Sequence, residues 1–567
     1  MSRREAVLSA LAVFAVAVAM RAWAATHITF PRPEDVAYYV GVARNLVEGR
    51  GLVTDAIWSF GTPPLVFPRP AFEVWLPLPS FLMTVPMLFL GTTFAAAQVV
   101  SVLVGAIVCV LGWVLAAEIA IERRLPQGRA RMLALGTGLT TAVYLPLVLA
   151  SVQPDSTMPF AALALGACLV MARIGRIHAR ERIRAHRSGW LALLGLLLGL
   201  SALARNEAIW LALTWAFVAW RIAARPAGYH HLPAEEPHPR ATLAERLRTW
   251  IALVGVPAVL SLLVFAPWAI RDWLDFGSPF PGQALTNALS LQGTDIFAWQ
   301  VQPTLDRYLD AGLPRLLELR AIGIFHNVVY VLLLLGVPLS VMGSIGLLDV
   351  LRTPGLRPLV LASVLTFLSA SLLFPVATTW GTFLHAAGSI HVLLVLSSML
   401  VLDRLLARVA HLRGWTRPTA WLGPAFAIAG SLLFSAVLLP LDGRLARATG
   451  DRYAALAVAL EDPAFEMRLS EEPGPVITDF PIWFAEATRH RALALPQEPI
   501  ESILDMARSF DPPARLLVVE AGNPGVWPGT ILAGDPGADC FVPLEIPELP
   551  DAPGALDDVL AFRIRCP

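Results

Sequence analysis

Apolar positions run through this chain in long unbroken blocks, not in the alternation of a strand or the single stripe of a surface helix. Blocks near residues 6 to 25, 93 to 121, 131 to 151, 157 to 174, 189 to 204, 207 to 224, 249 to 270, 321 to 349, 358 to 376, 383 to 402 and 419 to 440 approach or reach the length that crosses a hydrocarbon core. They predict eleven spans. One further run, Val74 to Leu90, carries Pro77, Pro79 and Pro86, and proline removes a backbone donor that lipid cannot replace. That run is predicted to lie at one interface without crossing.

The polar positions between the blocks set the orientation. Arginines cluster at 123 to 131, 173 to 187, 221 to 248, 352 to 357 and 404 to 417. All five clusters share a side with Arg3 and Arg4 only if residues 74 to 90 do not cross, and the positive-inside rule makes that side cytoplasmic. The apolar run after Arg3-Arg4 is read as an uncleaved first span. The reading is a multi-pass protein of the plasma (inner) membrane with a cytoplasmic N-terminus and an extracytoplasmic C-terminus. Residues 1 to 440 form the membrane domain with outer loops 26 to 92 and 271 to 320, and residues 441 to 567 form an exported domain.

In that exported stretch, strand-like runs (Pro475 to Asp479, Ala492 to Pro496, Ala514 to Glu520) alternate with helix-like ones (Ile482 to Arg489, Pro499 to Ser509). The fold class is therefore an all-α polytopic membrane protein with a small C-terminal α/β domain. Composition agrees: 56% of residues are hydrophobic and only 15% charged, with zero formal net charge, so nothing points to nucleic acid. Cys109 and Cys168 fall in apolar blocks, whereas Cys540 and Cys566 share the exported domain, where a disulfide can persist. His230, His231 and His238 sit in the stretch Gly228 to Arg240, read as a plain solvated loop.

Chemistry is sought in the outer loops. Directly after the first span, Val36, Tyr39, Val40, Ala43, Leu46 and Val47 recur at helical spacing, begun by Pro33 and stopped by Gly49 and Gly51. This predicts an amphipathic helix on the membrane surface, with Glu34 and Asp35 in its first turn. Acids there are favoured by the helix dipole alone, but paired carboxylates at a membrane surface also suit a general base. Outer arginines oppose the charge bias, and Arg205 and Arg271, at span ends, are candidates to bind a phosphate. The alternative for each is an ion pair with Glu207 or Asp272. Asp155, in the turn QPDST, is a candidate second acid or metal ligand, although such residues often cap a helix. Tyr39, Glu207 and His385 are further acceptor-site candidates, and His326, His385 and His391 near span ends also suit packing. With no Gly-rich nucleotide loop, CxxC pair or HExxH, neither a nucleotide sugar nor a tightly held zinc is implied. A divalent metal enters only through the outer acids.

The segment PRPEDVAYYVGVARNLVEGRGL (31 to 52) resembles the first outer loop of the GT-C glycosyltransferases, a superfamily including the protein O-mannosyltransferases and the lipid A aminoarabinose transferases. PRPAFEVWLPLPSFL (68 to 82), LARNEAIW (203 to 210), APWAIRDWLDFGSPF (266 to 280) and FPIWFAEATRHRALALP (480 to 496) are similar to segments of bacterial members. The resemblance implies a polyprenyl-phosphate sugar donor, with a divalent metal left open. It also implies a glycan, lipid or protein acceptor, and a catalytic carboxylate from the acidic pair. Here the pair is Glu-Asp where the family usually opens with Asp, so both Glu34 and Asp35 are named, Asp35 first. Two rival classes remain at this point. A transporter or lipid flippase would place its ionisable groups near the midplane, and a non-catalytic scaffold would leave the polar density of residues 26 to 72 without a purpose.

Overall fold

The computed structural model describes residues 2 to 179, 184 to 224, 241 to 281, 283 to 415, 419 to 521, 527 and 529 to 566. His230, His231 and His238 lie outside the described residues. Eight helices among the described residues are long and apolar enough to cross a membrane, or nine if a bent pair counts as one. They are Arg3–Ala25, Phe94–Glu122, Thr157–His178, Leu243–Phe276, Gly312–Gly336, Pro354–Leu372, Gly388–Leu412 and Leu422–Ala459. The blocks at 189 to 204 and 207 to 224 appear as apolar helices Ser188–Ala204 and Ala208–Ala223, which at 1.5 Å per residue reach only about 25 Å. The block at 321 to 349 is divided: one helical stretch ends at Gly336 and a second, Leu339–Leu351, begins beyond Pro338. The proline-rich run forms the helix Leu78–Leu90, 13 residues long and too short to cross.

The bent pair shows how sequence chemistry makes a break inside a bundle. Gln127–Val143 and Leu145–Val152 meet at Tyr144 with a 51° bend. In a continuous helix the Ala142 carbonyl would accept from residue 146, but Pro146 has no N–H. The buried Arg21 Nη1 supplies the missing donor at 3.0 Å, and its Nε binds Ser151 at 2.9 Å. Ser435 Oγ donates to the next carbonyl, Val143, at 2.7 Å. Irregular backbone at membrane depth needs such internal partners. Ser435→Ala should leave the Val143 carbonyl dry and unpaired and cost about 1–3 kcal/mol, read as a lower unfolding temperature of the purified protein; an unchanged value would mean water takes the hydroxyl's place.

One end of the bundle is ordered by charge. On one face, Arg123 and Arg404 pair with Asp349, Arg129 with Asp403, and Arg173 and Arg176 with Glu118. Basic segments separated by hundreds of residues thus meet. On the other face stand the first loop, the segment 277 to 311 and the C-terminal unit. The helix Glu34–Val47 forms as its periodicity predicts, and Gly49 and Gly51, both at positive φ, end it.

The C-terminal unit is built on a six-stranded sheet. Its strands are β2 (Ala56–Ile57), β4 (Val476–Thr478), β5 (Ala492–Ala494), β6 (Leu516–Glu520), β7 (Phe541–Leu544) and β8 (Val559–Ile564), in the order β2-β5-β4-β6-β8-β7. The first four run parallel, and β8 runs antiparallel to both its neighbours, β6 and β7. The remaining short strands, β1 (Val53–Thr54) and β3 (Arg69–Pro70), pair within the first loop. Helices Pro481–Thr488 and Ile500–Arg508 make the crossovers, close to where the sequence places them. Cys540 and Cys566 are joined by a disulfide. Edge strand β2 belongs to the first loop, not to the C-terminal stretch, and the helix Leu422–Ala459 runs past residue 441 as one piece. One apolar core joins the two regions, from Val36, Tyr39 and Phe72 through Ile57 to Leu493, Leu517 and Phe562.

Candidate active site

The helix Glu34–Val47 places its two acids in different surroundings. Glu34 Oε1 accepts from the backbone N–H of Ile482 at 3.0 Å and Trp483 at 3.3 Å, so it caps the helix Pro481–Thr488 of the C-terminal unit. Burial pushes its carboxyl up to about 8, against the pull of those two N–H groups. Asp35 turns the other way. Its Oδ2 meets His385 Nε2 at 3.0 Å, and its Oδ1 accepts from the Val36 N–H at 3.0 Å.

His385 is the hinge of the cluster. It lies in the one-turn helix Thr382–Ala386, before the span that starts at Gly388. Its Nδ1 meets Asp155 Oδ2 at 2.6 Å. Asp155 is fixed by the N–H of Thr157 at 2.7 Å and the Thr157 hydroxyl at 3.0 Å, so it is both a helix-capping residue and a partner of His385. Burial disfavours the imidazolium, but the charges of Asp35 and Asp155 on either side outweigh it and raise His385 to about 10. Burial likewise opposes the Asp35 anion, and His385 prevails, holding that carboxyl below its usual range. A carboxylate, a cationic imidazole and a second carboxylate thus meet in one cluster, with side chains 14%, 10% and 3% exposed.

Arg205 closes one flank. Its Nε and Nη2 grip both oxygens of Glu207 at 3.0 and 2.7 Å, Nη1 donates to Ser156 at 2.9 Å, and Nη2 to the Thr382 carbonyl at 3.0 Å. Tyr39, wholly buried, lies within the electrostatic reach of Arg205, Asp35 and Asp155. The structure therefore brings together Asp35, Asp155, His385, Arg205, Glu207 and Tyr39. It does not bring in Arg271, whose Nη1 donates to the Ala71 carbonyl at 2.7 Å while the guanidinium pairs with Asp272 and Asp275. Nor does it bring in Glu34. His385, which the sequence offered both as an acceptor-site candidate and as packing, has both ring nitrogens against carboxylates. Ser156 and Thr157 were overlooked, although the turn QPDST contains both; His326 and His391 stay outside the cluster.

Asp35, Asp155 and His385 each offer one ligand atom, all within 4.8 Å of one another. Two carboxylate oxygens and an imidazole nitrogen suit Zn²⁺ or Mn²⁺, so these residues fit a divalent cation, which would displace a proton from His385.

By sequence the chain matches no family model and no characterised protein at a significant level. By structure the outcome differs. ArnT from Cupriavidus metallidurans bound to undecaprenyl phosphate superposes with a TM-score of 0.57 at 13% identity, over 98% of this chain and 97% of that one. The chain has the same membrane fold as ArnT. The ArnT apo state gives 0.51 at 15% identity over 99% and 97%. The Archaeoglobus fulgidus oligosaccharyltransferase in complex with Zn and sulfate gives 0.52 at 14% identity over 93% of this chain and 70% of that chain. The likeness in fold to ArnT extends over nearly the full length of both chains.

The two acids titrate apart, and that has a measurable sign. Below about pH 8 the folded junction keeps the Glu34 proton, which the unfolded chain releases near the ordinary value of 4.5. The folded state therefore binds more protons between those values, so stability falls as pH rises from 4.5 to 8. Glu34→Gln, permanently neutral, should flatten that slope. Thermal unfolding at pH 5 and pH 8 decides it, since an unchanged slope assigns the effect to other groups.

Proposed function

We propose that this protein transfers a hexosyl or pentosyl unit from a polyprenyl-phosphate donor to an acceptor hydroxyl at the outer membrane face, with inversion. The observation that supports this most is the meeting of Asp35, His385 and Asp155 beside Arg205 in a chain with the GT-C fold. In this reading the N-terminus is cytoplasmic and the loop face extracytoplasmic, as the arginine clusters require.

Asp35 is the base. It takes the proton of the acceptor hydroxyl as that oxygen forms a bond to the anomeric carbon and the bond from that carbon to the phosphate oxygen breaks. The electron pair leaves with the phosphate. Because His385 lowers the basicity of Asp35, proton transfer is late and keeps pace with departure of the leaving group. Asp155 holds the His385 ring in place, and Arg205 faces the charge that develops on the phosphate. A divalent cation held by Asp35, Asp155 and His385 would add positive charge beside the leaving group. Glu34 is kept neutral by burial and joins the C-terminal unit to the loop.

A deletion strain tests the reading. Mass spectrometry of its envelope glycans, glycolipids and proteins should show one sugar missing, with its polyprenyl-phosphate form accumulating. Identical profiles in deletion and parent strains would end the glycosyltransferase proposal.

A further inference from the structure

Among the described residues the C-terminal unit contributes no side chain to the Asp35–His385–Asp155 cluster, yet it holds a second loop that leads to it. Glu498 is buried, and among the described residues its partners are backbone N–H groups. Oε1 accepts from Trp299 at 2.9 Å and from Gln300 and Val301 at 3.1 Å, while Oε2 accepts from Gln300 at 3.0 Å. Three successive N–H groups converging on one anion form a rigid nest. Burying a carboxylate is costly unless such bonds compensate it. Neighbouring residues reinforce the grip: Ser502 donates to the Gln300 side chain at 3.0 Å, and Trp299 Nε1 donates to Asp505 at 2.9 Å.

From this strap the contacts run inward. The 3₁₀ turn Gly293–Phe297 immediately precedes it, and its start is fixed by Asp295, which accepts from the N–H groups of Leu291 at 2.7 Å and Gln292 at 3.1 Å. Phe297 meets Trp380 edge to face, with ring centroids 5.7 Å apart. Gly293 lies so close to the same indole that a Cβ there would overlap it. Trp380 ends the 3₁₀ turn Ala377–Trp380, and Gly381 follows at φ 109°. A Cβ on Gly381 would sit 3.2 Å from His385 Nε2, the atom that meets Asp35. The backbone N–H of His385 donates to the Gly381 carbonyl at 3.0 Å.

We infer that Glu498 is a positioning residue for His385, acting through the strap 299 to 301, Phe297 and Trp380, so that the C-terminal unit sets the geometry of the reaction centre from outside it. The inference rests on the reading of Asp35 and His385 as the reaction centre, but its test needs no substrate. Hydrogen exchange of the full-length protein in lipid nanodiscs reads it directly. Glu498→Ala should speed exchange at the amides of 299 to 301 and in the segment 377 to 386 by about tenfold or more, because bonds to a charged acceptor are lost. The helix Glu34–Val47, tied to the C-terminal unit separately, should be unchanged. Glu498→Gln retains a carbonyl oxygen as acceptor and should restore much of the protection. Phe297→Ala should loosen 377 to 386 while 299 to 301 stay protected. Loss confined to 299 to 301 in Glu498→Ala would overturn the coupling, as would no loss at either segment. Loosening of the whole molecule, the helix Glu34–Val47 included, would make Glu498 merely structural. If Asp35 and His385 variants transfer sugar normally while the exchange pattern appears as described, the functional reading fails and the mechanical one stands.

Discussion

Asp35→Asn is expected to cut glycosyl transfer by about 10²- to 10⁴-fold, the usual worth of a positioned base, while Glu34→Gln keeps most of the activity. Both substitutions preserve shape, but only Asp35→Asn removes a charge from the helix N-terminus, a dipole effect of at most about 1 kcal/mol that is far too small to explain such a loss. The difference lies in what each side chain faces. Asp35 is held as an anion against His385, whereas Glu34 accepts from the N–H groups of Ile482 and Trp483 and is already neutral below about pH 8. Turnover measured in reconstituted vesicles, beside an unfolding curve for each variant, separates chemistry from folding. Should Glu34→Gln lose activity as completely as Asp35→Asn with its fold intact, the assignment of the base to Asp35 alone would be wrong.

Arg205→Ala should raise the donor KM and lower kcat together, by about 10²- to 10³-fold in kcat/KM. A phosphate contact exists in the ground state and strengthens as the leaving group takes up charge. The guanidinium is already oriented by Glu207, Ser156 and the Thr382 carbonyl, so it meets a phosphate without ordering cost. Arg205→Lys should recover little, because a point charge cannot keep the two-pronged grip on Glu207. Arg271→Ala is the internal control. That side chain fastens the Ala71 carbonyl to Asp272 and Asp275, so its loss should lower the unfolding temperature with little change in donor KM. A donor KM that moves with Arg271 and not with Arg205 would exchange their proposed roles.

Some of this was legible in the residues and some was not, for physical reasons. Span-length apolar blocks identify a membrane bundle because lipid demands them, and Pro33, Gly49 and Gly51 mark the ends of the loop helix because their backbones allow little else. The division of labour between Glu34 and Asp35 was hidden. It depends on which neighbour arrives from residues 385 and 482, and adjacency in sequence says nothing of that. His385 suited packing as well as an acceptor site because its two carboxylate partners come from distant segments. The break at Tyr144 was missed for a related reason: Pro146 alone reads as a tolerated kink, and only Arg21 and Ser435 make a sharp bend affordable. Strand β2, two residues long, carries no periodic signal at all; it exists because β5 presents a free edge.

The lateral partnership between the first loop and the C-terminal unit also dictates a timetable. Arg44 is separated from Glu486 by 442 residues, and Glu34 from the Ile482 amide by 448. At typical synthesis rates, the loop helix emerges roughly 20 to 90 s before its partners do. Over that interval the Arg44 guanidinium, buried in the finished protein, has no counterion, and strand β2 has no neighbour. Contacts so distant in sequence form last and slow the search for the native state. A nascent chain halted before residue 476 would therefore hold Arg44 without its counterion and Ala56–Ile57 without the edge on which they become a strand.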